Sequence, residues 1–121
     1  MSNRRLSPEQ LQDRLTRFGI SVCRSLRNAP RDPVGDYFTV QLIRSSTSPA
    51  ANYAEATDAE SRRDFIHKMK ICLKELRETL VWLQFKSALA TRDESEEALM
   101  KECRELTAIF VASLITARID D

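Results

Sequence analysis

Few residues in this sequence could do chemistry. There is one histidine, His67, so neither a His-pair metal site nor a second imidazole base can be built. It sits between Ile66 and Lys68, off the strongest apolar positions, as an ordinary surface histidine does. The three cysteines, Cys23, Cys72 and Cys103, lack CxxC spacing, and each falls inside an apolar helical pattern. That usage fits free thiols serving as small core hydrophobes in a reduced compartment. Two glycines are too few for a Gly-rich phosphate loop. Tyr37 and Tyr53 read as packing residues. Glu75 and Glu78, with no histidine beside them, give an enzyme thin support. No nucleophile has a visible base, so the reading is non-enzymatic, with no cofactor, metal or small-molecule substrate.

Charge is distributed more tellingly than it is summed. The chain carries +1 overall, but residues 1–31 carry +5 and residues 93–121 carry −5. Arg17, Arg24 and Arg31 recur every seven residues, flanked by Arg14 and Arg27. Three readings of this row compete. It is a solvated face, or it meets the acidic last helix of a neighbouring copy, or Arg17, Arg24, Arg27 and Arg31 touch nucleic-acid phosphates. No aromatic residue interleaves with the arginines, so base stacking is not indicated.

The elements that position these groups are helices. A length of 121 residues fits one domain, and only 2 Gly and 4 Pro argue for long helices over a many-turned β-protein. Ser7, Pro8 and Gln10 make a capping box at the start of a first helix, whose stripe is Leu11, Leu15, Phe18, Val22, Leu26 and Ala29. Gly19 beside that stripe implies close approach of a neighbouring helix. Residues 28–35, with two prolines and a glycine, read as a loop. A second helix is expected from about Asp36 to Ala56, burying Phe38, Leu42, Ser45, Pro49 and Tyr53, and bent at Pro49. Ser61 or Asp58 caps a third helix with Phe65, Met69, Cys72, Leu76, Leu80 and Leu83 inward. Asp93 caps a fourth, burying Leu99, Cys103, Leu106, Phe110, Leu114 and Ala117. Together they predict an all-α, antiparallel up-down four-helix bundle over 7–119, with residues 1–6 a disordered arm. The N-terminus has no apolar run behind its arginines, and no apolar run is long enough to span a bilayer. The expected location is the cytoplasm, with no membrane partner.

Apolar surface is left over once the core is filled. Trp82, Phe85 and Leu89 fall off the core stripe of the third helix, and Ala112, Ile115 and Ile119 lie opposite the core stripe of the fourth. Contiguous apolar patches mark contact surfaces on otherwise monomeric folds. Two different patches at opposite ends suit a head-to-tail contact, which closes into a ring. The expected partner is therefore a second copy of this chain.

The stretch 41–56, QLIRSSTSPAANYAEA, followed by DFIHKMKICLKELRETL at 64–80, resembles the bacterial four-helix bundle proteins named after 23S rRNA intervening sequences. The residues that carry the likeness are Gln41, Arg44, Ser48, Asn52, Ala54 and Glu55, then Asp64, Phe65, Ile66, Glu75 and Leu76. The likeness covers about residues 10–118. Two departures stand out: Ala56 replaces a family glycine, and Pro49 falls about one residue before the family proline. That family is largely without an assigned biochemical function. Its relatives include accessory proteins of diversity-generating retroelements, which form rings of five, bind nucleic acid and partner a reverse transcriptase. The resemblance thus implies a homopentamer, with nucleic-acid binding as the alternative role.

Register arithmetic gives the polar residues a physical task. In an antiparallel hairpin turning near residue 58 or 59, Arg44 comes level with about residue 73. An Arg44–Glu75 ion pair is expected, with Gln41 and Glu78 nearby. Gln41, Arg44, Ser48, Asn52, Glu55 and Glu75 then form a polar cluster that fixes the register of two helices.

Overall fold

A computed structural model describes residues 6–89 and 94–119 of the chain. It contains four helices: α1 (Pro8–Ser25), α2 (Pro33–Thr57), α3 (Arg62–Leu89) and α4 (Glu94–Ile119). No strand occurs among the described residues. Each helix packs on its two neighbours, α1 on α2 and α4, and α3 on α2 and α4. The result is an all-α up-down four-helix bundle. Residues 1–5 of the expected arm, and the expected cap Asp93, lie outside the described residues.

Local chemistry sets the helix ends. Ser7 and Gln10 form a reciprocal capping box: Gln10 N donates to Ser7 Oγ at 3.1 Å, and Ser7 N donates to Gln10 Oε1 at 2.8 Å. The second helix starts three residues before the expected Asp36. Asp32 is its N-cap, accepting from Gly35 N at 2.7 Å, and Pro33 takes the first helical position. A proline there loses nothing, because its missing N–H would have had no partner. Gly35 lies inside the first turn of α2, and a Cβ on it would collide with the carbonyl oxygen of Pro30. The Pro/Gly-rich stretch is thus partly a helix start. The 2–3 turn has no left-handed residue, in keeping with Ala56 in place of a glycine; Asp58 closes α2 at φ −108°. Ser61 Oγ accepts from Asp64 N at 3.1 Å at the head of α3.

The core follows the periodicity. Every expected core residue of α4 is buried, and Met100 joins them. Phe65 and Leu80 are only half-buried, packed at the margin of the core. On α2, Leu42, Ser45, Pro49 and Tyr53 face inward, Phe38 is only half-buried, and Val40, Ile43, Thr47, Ala51 and Ala54 face solvent. Tyr53 meets Phe110 edge-on, with ring centroids 5.8 Å apart. The helix continues through Pro49, and side chains serve carbonyls around it. Cys72 Sγ donates to Pro49 O at 3.5 Å, and Gln12 Nε2 donates to Ala50 O at 2.9 Å.

Gly19 has the role its position implies. A Cβ there would lie 3.0 Å from Ser46 O of α2, so α1 and α2 sit almost backbone to backbone. The glycine costs α1 about 1 kcal/mol of helix propensity relative to alanine. That cost is offset by close packing across the α1–α2 seam.

Candidate assembly surfaces and the polar seams

The α2–α3 seam carries the principal polar network. Arg44 Nη1 donates to Glu75 Oε1 at 2.8 Å, and Arg44 Nη2 donates to Gln41 Oε1 at 3.2 Å and to Glu78 Oε1. Trp82 Nε1 donates to the same Glu78 oxygen at 3.3 Å. The Glu75 side chain is only 11% exposed, whereas Arg44 is 47% exposed. The guanidinium therefore closes the solvent side of a buried carboxylate, an arrangement that penalises slippage of α2 along α3. The other expected members of the cluster stand apart. Asn52 Nδ2 donates to Ser48 Oγ at 2.9 Å within α2. Glu55 accepts from Lys68 Nζ at 2.6 Å, which raises the Lys68 pKa. The six residues thus form three local groups along one seam, not a single cluster.

A second seam joins α1 to α4. Arg14 grips Glu102 with two hydrogen bonds of 2.7 Å and reaches Glu105 at 2.9 Å. The hydrogen bond to Glu102 is the largest cause of the raised Arg14 pKa. Through Arg14, basic α1 meets acidic α4 within the same protomer. Arg17 is paired with Asp13 at 2.9 Å, and Arg31 with Asp36 at 3.0 Å. Of the four candidate phosphate contacts, only Arg24 and Arg27 are without an ion pair among the described residues. They line a groove of about 370 Å³ with Gly19, Ile20 and Cys23.

The leftover apolar surface is real but differently composed. Trp82 is not a free contact residue. It is half-buried in an aromatic group of its own chain, edge-on to Tyr37 at 5.8 Å and tilted against Phe38 at 5.8 Å. Phe38 in turn stacks on Phe85 at 5.6 Å. What faces solvent is the outer layer of that group: Val34 at 55%, Tyr37 at 52%, Phe85 at 51% and Leu89 at 65% exposure. Val34 escaped the sequence reading because the start of α2 read as loop, and Tyr37 read as a packing residue although it is half exposed. Their i, i+3 spacing behind a capping Asp32 was the available signal. On α4, Ala112 and Ile115 are exposed, and the side chain of Ile119 lies outside the described residues. The first patch sits where α3 ends and α2 begins; the second sits toward the C-terminal end of α4, at the opposite end of the bundle.

Groups suited to catalysis are held in unreactive settings. Burial pushes the Cys72 and Cys103 thiols up to about 12, so both stay protonated at neutral pH. Burial also raises the Tyr53 hydroxyl. Among the described residues, no group of three or more His, Cys, Asp or Glu is placed to hold a metal ion. None of the described helices is long and apolar enough to cross a membrane.

The family described as 23S rRNA-intervening sequence protein matches residues 10–112. The chain belongs to this family. It is also similar to a protein of unknown function from the S23 ribosomal protein family of Bacteroides thetaiotaomicron VPI-5482, known from a crystal structure at 1.70 Å resolution. The identity is 28% and the TM-score 0.77, over 86% of this chain and 97% of that one. No curated protein matches the chain significantly. Neither description names a biochemical activity. In this 23S rRNA-intervening sequence family member, the matched span contains the whole Arg44–Glu75 network and the patch from Val34 to Leu89, whereas Ile115 lies beyond it.

Proposed function

We propose that this chain is a non-enzymatic assembly module of the cytoplasm, a bundle that associates with copies of itself into a closed ring. Five subunits is the size favoured by the resemblance to retroelement accessory proteins. The observation that carries the reading is the outer aromatic layer. Four large apolar side chains, each more than half exposed, stand together at one end of the bundle. Leaving them in water is costly at roughly 25 cal/mol per Å² of apolar surface, and a subunit contact removes that cost. The second patch, at Ala112 and Ile115, lies at the other end, so a head-to-tail contact joins unlike surfaces.

Mixing two variants tests this arrangement. Phe85→Glu with Leu89→Glu destroys the first patch, and Ile115→Glu destroys the second. Each variant alone is expected to be a folded monomer by circular dichroism and native mass spectrometry. The mixture is expected to give a heterodimer, because one intact pair of unlike surfaces remains. Retention of the full assembly by either variant, or failure of the mixture to pair, would overturn the head-to-tail reading.

A further inference from the structure

Among the described residues, a row of unpaired bases lies along α3. Arg63, His67, Lys70, Lys74 and Arg77 follow one another at steps of four, three, four and three, so they share one face of the helix. All five are exposed, and none has an ion pair or side-chain hydrogen bond among the described residues. The acids of α3 are on another side. Glu75 and Glu78 hold Arg44 of α2, and Asp64 acts on Lys68, which reaches Glu55 of α2. The face is extended by α4. Arg62 Nη2 donates to Ala117 O and Cys103 Sγ donates to Leu76 O, so the two helices run antiparallel with residue 104 level with about residue 75. Exposed Arg104 therefore comes level with Lys74, and it too lacks an ion pair among the described residues. At the other end of the stripe, Arg63, Ile66, His67 and Lys70 line a shallow hollow of about 480 Å³.

We propose that this outer α3–α4 face binds the phosphate backbone of double-stranded nucleic acid. Like charges at i, i+3 and i, i+4 weaken a helix, so the stripe works against the stability of α3. Elsewhere the chain mixes signs, as in Arg17 with Asp13 and Arg14 with Glu102. A polyanion turns that local repulsion into attraction. The stripe spans 14 residues of helix, about 21 Å at 1.5 Å per residue. A duplex presents about one negative charge per 1.7 Å of its axis, so several phosphates fall within that reach. No aromatic side chain lies among these residues, so the face holds backbone rather than stacked bases, and binding is independent of sequence. A membrane surface is disfavoured, because the apolar side of α3 is buried in the core and cannot enter lipid. This role does not depend on ring formation.

The test is fluorescence anisotropy with a labelled random-sequence RNA duplex, titrated at several salt concentrations. Wild-type protein is expected to bind with an affinity that falls steeply with salt. The triple variant Lys70→Gln, Lys74→Gln, Arg77→Gln is expected to lose at least tenfold in affinity at low salt, and its slope of log K against log salt should flatten by about 2–3. The double variant Arg24→Gln, Arg27→Gln on α1 should stay within about twofold of wild type. A circular dichroism melt checks that both variants remain folded. Three results would overturn the proposal: no binding of the duplex at low salt, an unchanged triple variant, or loss confined to the α1 variant. Binding to anionic lipid vesicles without binding to the duplex would overturn it as well.

Discussion

Phe110→Ala is expected to lower the stability of the bundle by about 3–5 kcal/mol, the range for removing a large aromatic side chain from a close-packed interior. Phe110 is fully buried in α4 and meets Tyr53 of α2 edge-on, with an interplanar angle of 80°. The ring therefore ties together two helices that are not neighbours in the bundle. The substitution removes its dispersion contacts, leaves a cavity that the surrounding helices fill only in part, and deprives Tyr53 of its aromatic partner. Native domains are stable by only about 5–15 kcal/mol, so the loss is a large share of the total. Urea denaturation at fixed protomer concentration reads it, fixed because assembly adds concentration-dependent stability. A loss below about 1 kcal/mol would mean that Phe110 is not at the centre of the core.

Arg44→Met should be the next most damaging change, at about 1–3 kcal/mol, because it strips a nearly buried Glu75 carboxylate of its cation. The loss is smaller than for a fully buried pair because Arg44 is itself half exposed and solvent screens its charge. The distinctive expectation concerns the double variant. Glu75→Gln in the Arg44→Met background removes the uncompensated charge and should restore part of the lost stability. A double-mutant cycle on thermal or urea unfolding measures the coupling. If Arg44→Met melts as wild type does and its assembly state is unchanged, the network does not hold α2 and α3 in register.

The helices were legible because burial leaves a periodic trace. Leu11, Leu15, Phe18 and Val22 repeat at helical spacing, and the side of α1 they define is the side that is buried. Gly19 and the Arg44–Glu75 pair were legible for a related reason. Helix geometry fixes which residues come level once a hairpin is assumed. The start of α2 was misread because Pro33 and Gly35 signal loop by composition, whereas a capping Asp32 makes them the first turn of a helix. The partners of surface arginines were harder still. Arg14 could pair with acids of its own chain or of a neighbour, and only the packing of α1 on α4 decides between them. The α3 stripe was obscured by summing charge along the chain. Residues 32–92 come to +1, but Glu75 and Glu78 of α3 face α2 while its unpaired bases face outward. Segment totals do not resolve faces.

The mass of the wild-type protein in solution, measured by light scattering after size exclusion at low and at high salt, tests self-assembly most directly. A single species near five protomers at both salt concentrations is the predicted result, because apolar contacts such as those of Tyr37, Phe85 and Leu89 are not screened by ions. A clean monomer at micromolar concentration would contradict it.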